Sequence, residues 1–553
     1  MSETTAPRPD PPLAAAAAES DENSGRLVHA STGRLVTILV ALVLFSEVVP
    51  LQYTMVGVII PKIGTAFPQS GDSTSWALTI LGVVGAATMC LVGKASDLVG
   101  KKQVLLAVSL FFLAGTVVCA LTGNWAVFLL GRGLQALSLG MPAVTYGVVR
   151  DVMPRRWIPI CVGFIGTGFG VASIIAPLVG GGLTDHYSWR SIFWFLVIYM
   201  AVTIPLVVLI VPNSPFRVRQ RFDLIGAVLF GGGIAGCLVY ISEGAGWGWT
   251  SAGCLPYLIG GLAALLAWAA WENRISYPMM ELSLLRAPKV ALVMAIAVFA
   301  TIGLTLPNFI VPYMFETPKA SVLKGEILAQ TAAAQHYPVA IVAQFVHFQG
   351  DISYAAGFSV FQLAWHITLF MSVSAMIFGP VGALIARRLG ARLPLLIGSA
   401  AAVVTFLLWW RFHHDWQEQA AIGALWGLGF GFYYASSPNL LIDAVPARRQ
   451  GISAGMLAVF GAIGSALATA LITPILTSHP FQLVATPPGG KPIVHAIPQV
   501  YTDAGYAEAY LLIGVIAAVV TVALVILLRT GRKPALGGAD EQVPAPADAV
   551  VEA

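Results

Sequence analysis

Two side chains are placed to do chemistry where chemistry is costly: the carboxylate of Glu47 and the guanidinium of Arg132, each inside a long apolar run. A carboxylate among apolar neighbours is a group that a proton can switch between charged and neutral, which suits a proton carrier. An arginine inside a membrane span costs several kcal/mol by most estimates and is a functional candidate by default. Glu47 and Arg132 are therefore candidates for proton coupling, with the two groups exchanging partners during a cycle. A structural Glu47 bonded to backbone or to Ser and Thr hydroxyls, and a Glu47 that touches substrate, are the other readings. Five residues turn a helix by about 140°, so Glu47 and Gln52 need not share a face, and Pro50 between them is able to bend or unwind the segment. Gln52, Tyr53, Gln135, Tyr146 and His366 are candidates for substrate contact. For His366 a bonded structural role is the commoner alternative. The trio His413-His414-Asp415 is the densest group that a membrane-embedded enzyme would need at one face, and it is expected to be solvated. No GxxxxGK[ST] run, CxxC pair or HExxH pattern occurs, so neither nucleotide drive nor a metal or other cofactor is expected.

The elements that hold these residues follow from the solvent. Of 553 residues, 57% are hydrophobic and only 10% are charged, against roughly 25% charged in soluble proteins. The mean hydropathy is +0.81. In hydrocarbon every backbone N–H and C=O must be paired within the protein, which leaves helices or a closed barrel. The apolar runs are about 20 residues long and do not alternate, which selects helices. Fourteen such runs are read, from Leu35–Ile60 to Ala507–Leu528, so an all-α polytopic membrane bundle is expected. Arginines and lysines gather in alternate loops: Lys94, Lys101 and Lys102; Arg150, Arg155 and Arg156; Arg217, Arg219 and Arg221; Arg274, Arg286 and Lys289; Arg387, Arg388 and Arg392; Arg448 and Arg449. The positive-inside rule places those loops and both termini in the cytoplasm. A net charge of +4 gives no argument for nucleic acid. The five cysteines are not spaced for pairing, and most act as small apolar residues.

Residues 1–34 lack a basic start followed by an apolar core, so a disordered cytoplasmic tail is expected there instead of a cleaved signal. Residues 530–553 read the same way. Between them lie a first six-helix half (35–212), two extra linker helices (222–272) and a second six-helix half (289–529). The second half carries an external insert at 316–357. Its apolar stretch Tyr337–Phe348 is too short to cross; an interfacial hairpin, a lid, or an insertion without a transport role are the readings. A faint repeat relates Gly93-Lys-Ala-Ser-Asp97-Leu-Val-Gly100-Lys101-Lys102 to Ala383-Leu-Ile-Ala-Arg387-Arg388-Leu-Gly390-Ala-Arg392. Two related halves are the usual build of secondary transporters.

The Gly93–Lys102 segment resembles the loop between the second and third spans of the major facilitator superfamily. There Gly93 would let a helix come close, Asp97 would accept from a helix N-terminus, and Lys101 and Lys102 would pair with carboxylates or lipid phosphate. The resemblance implies a gate at Gly93, Asp97, Gly100, Lys101 and Lys102. Gly131-Arg132-Gly-Leu-Gln135-Ala136 resembles the family's fourth-span motif, which implies a coupling role for Arg132; Ala136 replaces the usual Gly. Gly163, Gly166, Gly170, Ala176, Pro177, Gly180 and Gly181 resemble the fifth-span antiporter motif, which implies export and adds Pro177 to the gate, with Ala176 where Gly is usual. Trp189-Arg190-Ser-Ile-Phe-Trp194 is similar to the start of the sixth span. Phe222-Asp223-Leu-Ile-Gly226 and Gly246-Trp-Gly-Trp249 resemble the extra pair of the fourteen-span drug:proton antiporters. Over Arg34 to Leu528 the chain is thus similar to that multidrug-efflux family. The implied function is proton-driven export of hydrophobic small molecules by alternating access, from a bacterial inner membrane; a monomer in the bilayer is the expected state. One departure matters: Gln52 stands where the family usually has Asp, so the coupling carboxylate is missing from its usual place. Gln52 keeps open an uncoupled facilitator, or an exporter of lipid, siderophore or metabolite.

Overall fold

Lipid leaves each spanning segment to satisfy its own backbone, and the chain does so with long helices. The computed structural model describes residues 30–154, 157–213, 223–276, 282–445, 450–486 and 491–529, with residues 27, 278 and 280. Most of both expected tails, and the arginines at 155, 156, 217, 219, 221, 448 and 449, lie outside the described residues. In chain order the helices are α1 (Thr32–Gly57), α2 (Trp76–Val99), α3 (Lys101–Leu121), α4 (Trp125–Val152), α5 (Ile158–His186), α6 (Arg190–Ile210) and α7 (Leu224–Trp247). They continue as α8 (Leu255–Glu272), α9 (Pro288–Glu316), α10 (Val360–Leu389), α11 (Arg392–Arg411), α12 (Trp416–Ala444), α13 (Gln450–Thr477) and α14 (Asp503–Leu527). Among the described residues eleven helices are long and apolar enough to cross a membrane. The other three, α2, α5 and α12, run for 24, 29 and 29 residues, enough for a hydrocarbon core about 30 Å thick. The chain is an all-α polytopic membrane bundle. The loops richest in Lys and Arg follow even-numbered helices, so one side of the bundle is the basic face and the other is called here the far face.

Two helices of the first half, α1 and α4, are broken, and proline explains both breaks. α1 consists of Thr32–Ser46 and Val48–Gly57, with Glu47 at the junction. Pro50 has no N–H to offer the Ser46 carbonyl, and its ring crowds it. α4 passes through a tight turn of helix at Leu137–Gly140, just before Pro142, whose missing N–H leaves the Ser138 carbonyl to accept from Met141 N instead. Broken spans expose polar backbone and are tolerated where neighbouring groups re-satisfy it.

Helix α2 packs on α13, and α9 also lies against α13. The linker helices are not peripheral: α7 packs on α8 and lies along both α2 and α13. Asp223 caps α7, accepting from Gly226 N at 2.9 Å and from Trp271 Nε1 at 2.9 Å. Near the other end of α7, Glu243 accepts from Ser73 Oγ and Trp76 Nε1, both at 3.2 Å.

The faint sequence repeat has a structural counterpart. Gly100 ends α2 at φ 121° and Gly390 ends α10 at φ 90°, backbone angles that residues with a Cβ rarely adopt. Two residues after each glycine a cation caps a helix end: Lys102 donates to Val208 O at 2.8 Å, on α6. Arg392 donates to Val525 O at 2.9 Å and Ile526 O at 2.5 Å, on α14. A cation at a helix C-terminus offsets the orphan carbonyls and the dipole there.

The insert and the segment before α14 build something the sequence reading did not foresee. Helices at Ala320–Gln335 and Val339–Phe345 lead into β1 (Val346–Gln349), which pairs with β2 (Pro480–Ala485), and β2 pairs with β3 (Ile493–Tyr501). The antiparallel order is β1-β2-β3, with Val346 opposite Ala485 and Gln482 opposite Ala496. The strands are short and come from segments over 130 residues apart, so no local pattern announced them. The Gln499 side chain of β3 lies against Gly64, just beyond α1, so the sheet reaches across the far face.

Candidate transport site

The two helix breaks face each other. Gln52 Nε2 donates to Ser138 Oγ at 2.7 Å, and Ser138 Oγ donates to the Gln135 carbonyl at 2.7 Å. Gln135 Nε2 donates to Thr116 Oγ1 on α3 at 2.8 Å. Arg132 is fully buried; its Nε donates to Ala77 O on α2 at 2.9 Å and its Nη1 to Gln135 Oε1 at 2.6 Å. Its remaining Nη2, and Gln52 Oε1, meet no partner among the described residues. One buried polar chain thus joins α1, α2, α3 and α4. Close packing makes room for it: a Cβ on Gly115 would fall 2.4 Å from Gly131 O, so α3 and α4 touch backbone to backbone beside Arg132.

Tyr53 carries the chain of contacts across the bundle. Its phenol lies beside the side chains of Thr305 on α9 and Ser465 on α13, which bond each other at 3.0 Å. Tyr434 on α12 lies within electrostatic reach of Tyr53 and is half exposed despite its place mid-helix, so its ring borders an open space between the helices.

Glu47 stands apart from this network. It is buried, and neither carboxylate oxygen has a hydrogen-bond partner among the described residues. The phenols of Tyr146 on α4 and Tyr199 on α6 lie close enough to feel its charge; the Tyr199 hydroxyl is bonded to the Leu44 carbonyl. From Tyr146 to Arg132 is about 21 Å along α4. The direct exchange of partners expected between Glu47 and Arg132 is therefore absent from this conformation. Gln52, Ser138 and Gln135 lie between them.

At the basic face, Lys101 and Asp151 form a buried ion pair at 2.6 Å between the start of α3 and the end of α4. The Lys94 ammonium donates to the Pro278 carbonyl. Gly93 has open space around it, and Asp97 sits on α2 with its side chain outside the described ones. Pro177 is buried inside α5; the side-chain surroundings of Gly163, Gly166 and Gly170 lie outside the described residues.

Sequence reasoning missed the contacts that close the far face. Asp185, at the end of α5, caps the N-terminus of α10: its oxygens accept from Val360 N at 3.2 Å and Phe361 N at 3.0 Å, and Lys62 reaches it at 3.3 Å. The first N–H groups of a helix have no partner within it and favour a negative charge. Nearby, Thr79 and Thr469 hydroxyls lie 2.7 Å apart, and Thr473 donates to Ser75 at 2.9 Å, joining α2 to α13. The signal was present as polar residues within or at the ends of apolar runs, but their partners are hundreds of positions away. A cysteine pair at Thr79 and Thr469 is expected to cross-link on oxidation and to stop transport until reduced. Gel mobility and uptake in vesicles check this, and transport that continued after complete cross-linking would mean the far face need not part.

Of the remaining candidates, His366 sits near the far end of α10, stacked on Phe358, edge-on to Trp416 and bonded to Gln362 O at 2.8 Å. It is not brought together with Gln52 or Tyr53. The trio expected to be solvated is only partly so: His413 is 3% exposed, and its acidic neighbour in space is Asp503, not Asp415.

A multi-helix bundle with broken spans facing a buried polar centre, and with a latch at one face, has the anatomy of a secondary membrane transporter. The Major Facilitator Superfamily model matches residues 42–338 and 341–551, and the chain belongs to that superfamily, whose members are transporters and not enzymes. It is 25% identical over 452 residues to the uncharacterized MFS-type transporter YvkA of Bacillus subtilis, covering 81% of this chain and 92% of that protein. It is 29% identical over 439 residues to the multidrug resistance protein Stp of Mycobacterium tuberculosis, covering 77% of this chain and 73% of that one. A crystal structure of the peptide transporter POT in complex with sulfate superposes with a TM-score of 0.59, over 92% of this chain and 97% of that chain. At 14% identity that likeness speaks for the fold alone.

Proposed function

We propose that the chain exports hydrophobic small molecules by alternating access, driven by protons moving inward, from a bacterial cytoplasmic membrane with both termini inside. The observation that carries this reading is Glu47: a carboxylate at a helix break, buried without a hydrogen-bond partner among the described residues, beside a polar network that reaches from α1 to α4. A buried carboxylate with no donor is held most cheaply as the neutral acid, and opening its surroundings to water lets the proton leave. Relatives named as a multidrug resistance protein and as an MFS-type efflux pump support the export of drug-like molecules. With the basic face in the cytoplasm, the Asp185 latch and the Thr79–Thr469 contact hold the external side shut, and the cycle has to part them to release substrate outside. In this scheme Arg132 does not move to Glu47; it anchors Gln135, and through Ser138 and Gln52 fixes the two breaks against each other. Tyr53 and Tyr434 offer aromatic surface to an apolar substrate, and Gln52 and Gln135 offer amides. Lys101–Asp151 and Lys102 hold the basic-face loop as one body while the helices rock.

Gln52, which cannot titrate, favours a second reading, a facilitator without proton coupling. A pump-deficient host expressing the chain and loaded with a panel of hydrophobic dyes separates the two. Lower dye accumulation that an uncoupler abolishes is the expected result. Lower accumulation that survives the uncoupler favours facilitation, and unchanged accumulation across the panel removes drug export.

A further inference from the structure

The geometry points to a divalent transition-metal site of the zinc class on the far face, formed by His413, His414 and Asp503. One ligand atom from each lies within 4.8 Å of the others. The residues come from two separate places: the four-residue connection between α11 and α12, and the first residue of α14. Ser353 of the insert completes the cluster, so the group ties three segments together.

The second observation is the state of His413. It is 3% exposed, yet neither ring nitrogen has a hydrogen-bond partner among the described residues; the carbonyls of Trp409 and Trp410 lie close without reaching bonding geometry. Buried polar side-chain atoms are satisfied in the large majority of cases, so an imidazole left dry beside a second imidazole, with ring centroids 4.3 Å apart, asks for a partner. Asp503 is already aimed. Ser353 N donates to both carboxylate oxygens at 3.1 Å, and Ser353 Oγ donates to Oδ2 at 2.7 Å. The Ser353 hydroxyl also lies 2.6 Å from His414 Nδ1, which is itself 3.9 Å from Asp503 Oδ2. These bonds are the outer support that metal ligands ordinarily have.

Two imidazoles and one carboxylate match zinc and its neighbours, which bind nitrogen and oxygen at about 2.0–2.2 Å in a tetrahedron with the fourth place left to water. Mg²⁺ and Ca²⁺ prefer more oxygen ligands than the cluster offers. The His414 side chain is 44% exposed, which gives an ion a path from the far-face solution. Filling the site would fasten the insert and the α11–α12 connection to the head of α14.

The test uses the full chain, free of any histidine tag, purified in detergent and stripped of metal. Titration with Co²⁺ should raise the visible absorption of a tetrahedral centre at one ion per chain, and Zn²⁺ should displace it. His413→Asn and His414→Asn should each weaken Zn²⁺ binding at least 100-fold, and Zn²⁺ should raise the unfolding temperature of the parent protein but of neither variant. If His413→Asn does not fold, the exposed His414→Asn carries the test. No binding above one ion per ten chains in the parent protein, or undiminished binding in His414→Asn, overturns the site.

Discussion

Glu47→Gln is expected to reduce proton-driven uptake into everted vesicles to background while leaving the protein folded. Glutamine keeps the volume of the side chain, so the cost in stability stays below about 1.5 kcal/mol. What it removes is the carboxylic acid at the α1 break, where neither oxygen of Glu47 has a partner among the described residues. The paired measurement is exchange of labelled substrate across the membrane without a proton gradient, which should survive in the variant. Driven uptake at the level of the parent protein would take Glu47 out of the mechanism. Gln52→Asp, which places a carboxylate where related antiporters usually have one, is the natural attempt at rescue in that background.

The second large effect is expected at Arg132. Arg132→Ala takes the donor from Ala77 O and from Gln135 Oε1 in a dry interior. Ala77 O lies within the α2 backbone ladder, whereas stranding the buried Gln135 Oε1 costs about 1–3 kcal/mol, before the empty volume left by the arginine is counted. Against the total stability of a typical domain, about 5–15 kcal/mol, this is severe. Arg132→Lys keeps the charge but cannot donate in two directions from a rigid fork. It is expected to fold and to transport at about a tenth of the parent rate or less, because Gln135 and Ser138 lose their register with Gln52. Thermal unfolding in detergent and vesicle uptake, measured on both variants, separate the structural from the functional loss. Full activity in Arg132→Lys would reduce the arginine to a buried charge.

Much of this architecture was legible because lipid enforces simple rules. Length and hydrophobicity pointed to fourteen runs, of which eleven are helices long and apolar enough to cross among the described residues, and glycine followed by a cation marked the helix ends at Gly100 and Gly390. Pro50 announced the break at Glu47. The pairing of Gln52 with Ser138 was not legible: Ser138 looks like any small polar residue until the fold brings Gln52 against its hydroxyl. Arg132 was visible as a cost, but its partners were not, since backbone carbonyls such as that of Ala77 leave no mark in a sequence. The sheet over the far face was hidden for a different reason, because β1 pairs with a strand that comes over 130 residues later. Asp185 was overlooked because a carboxylate at a helix end reads as solvated, and only the fold shows that the N-terminus of α10 comes to meet it.

The central claim is that substrate and protons cross in opposite directions through one site. Purified protein in liposomes holding a trapped pH indicator tests it most directly. An inwardly directed substrate gradient, imposed with no initial pH difference, should drive protons out and make the lumen alkaline, and Glu47→Gln should leave the signal flat. Substrate entry with no change of lumenal pH in the parent protein would contradict the account.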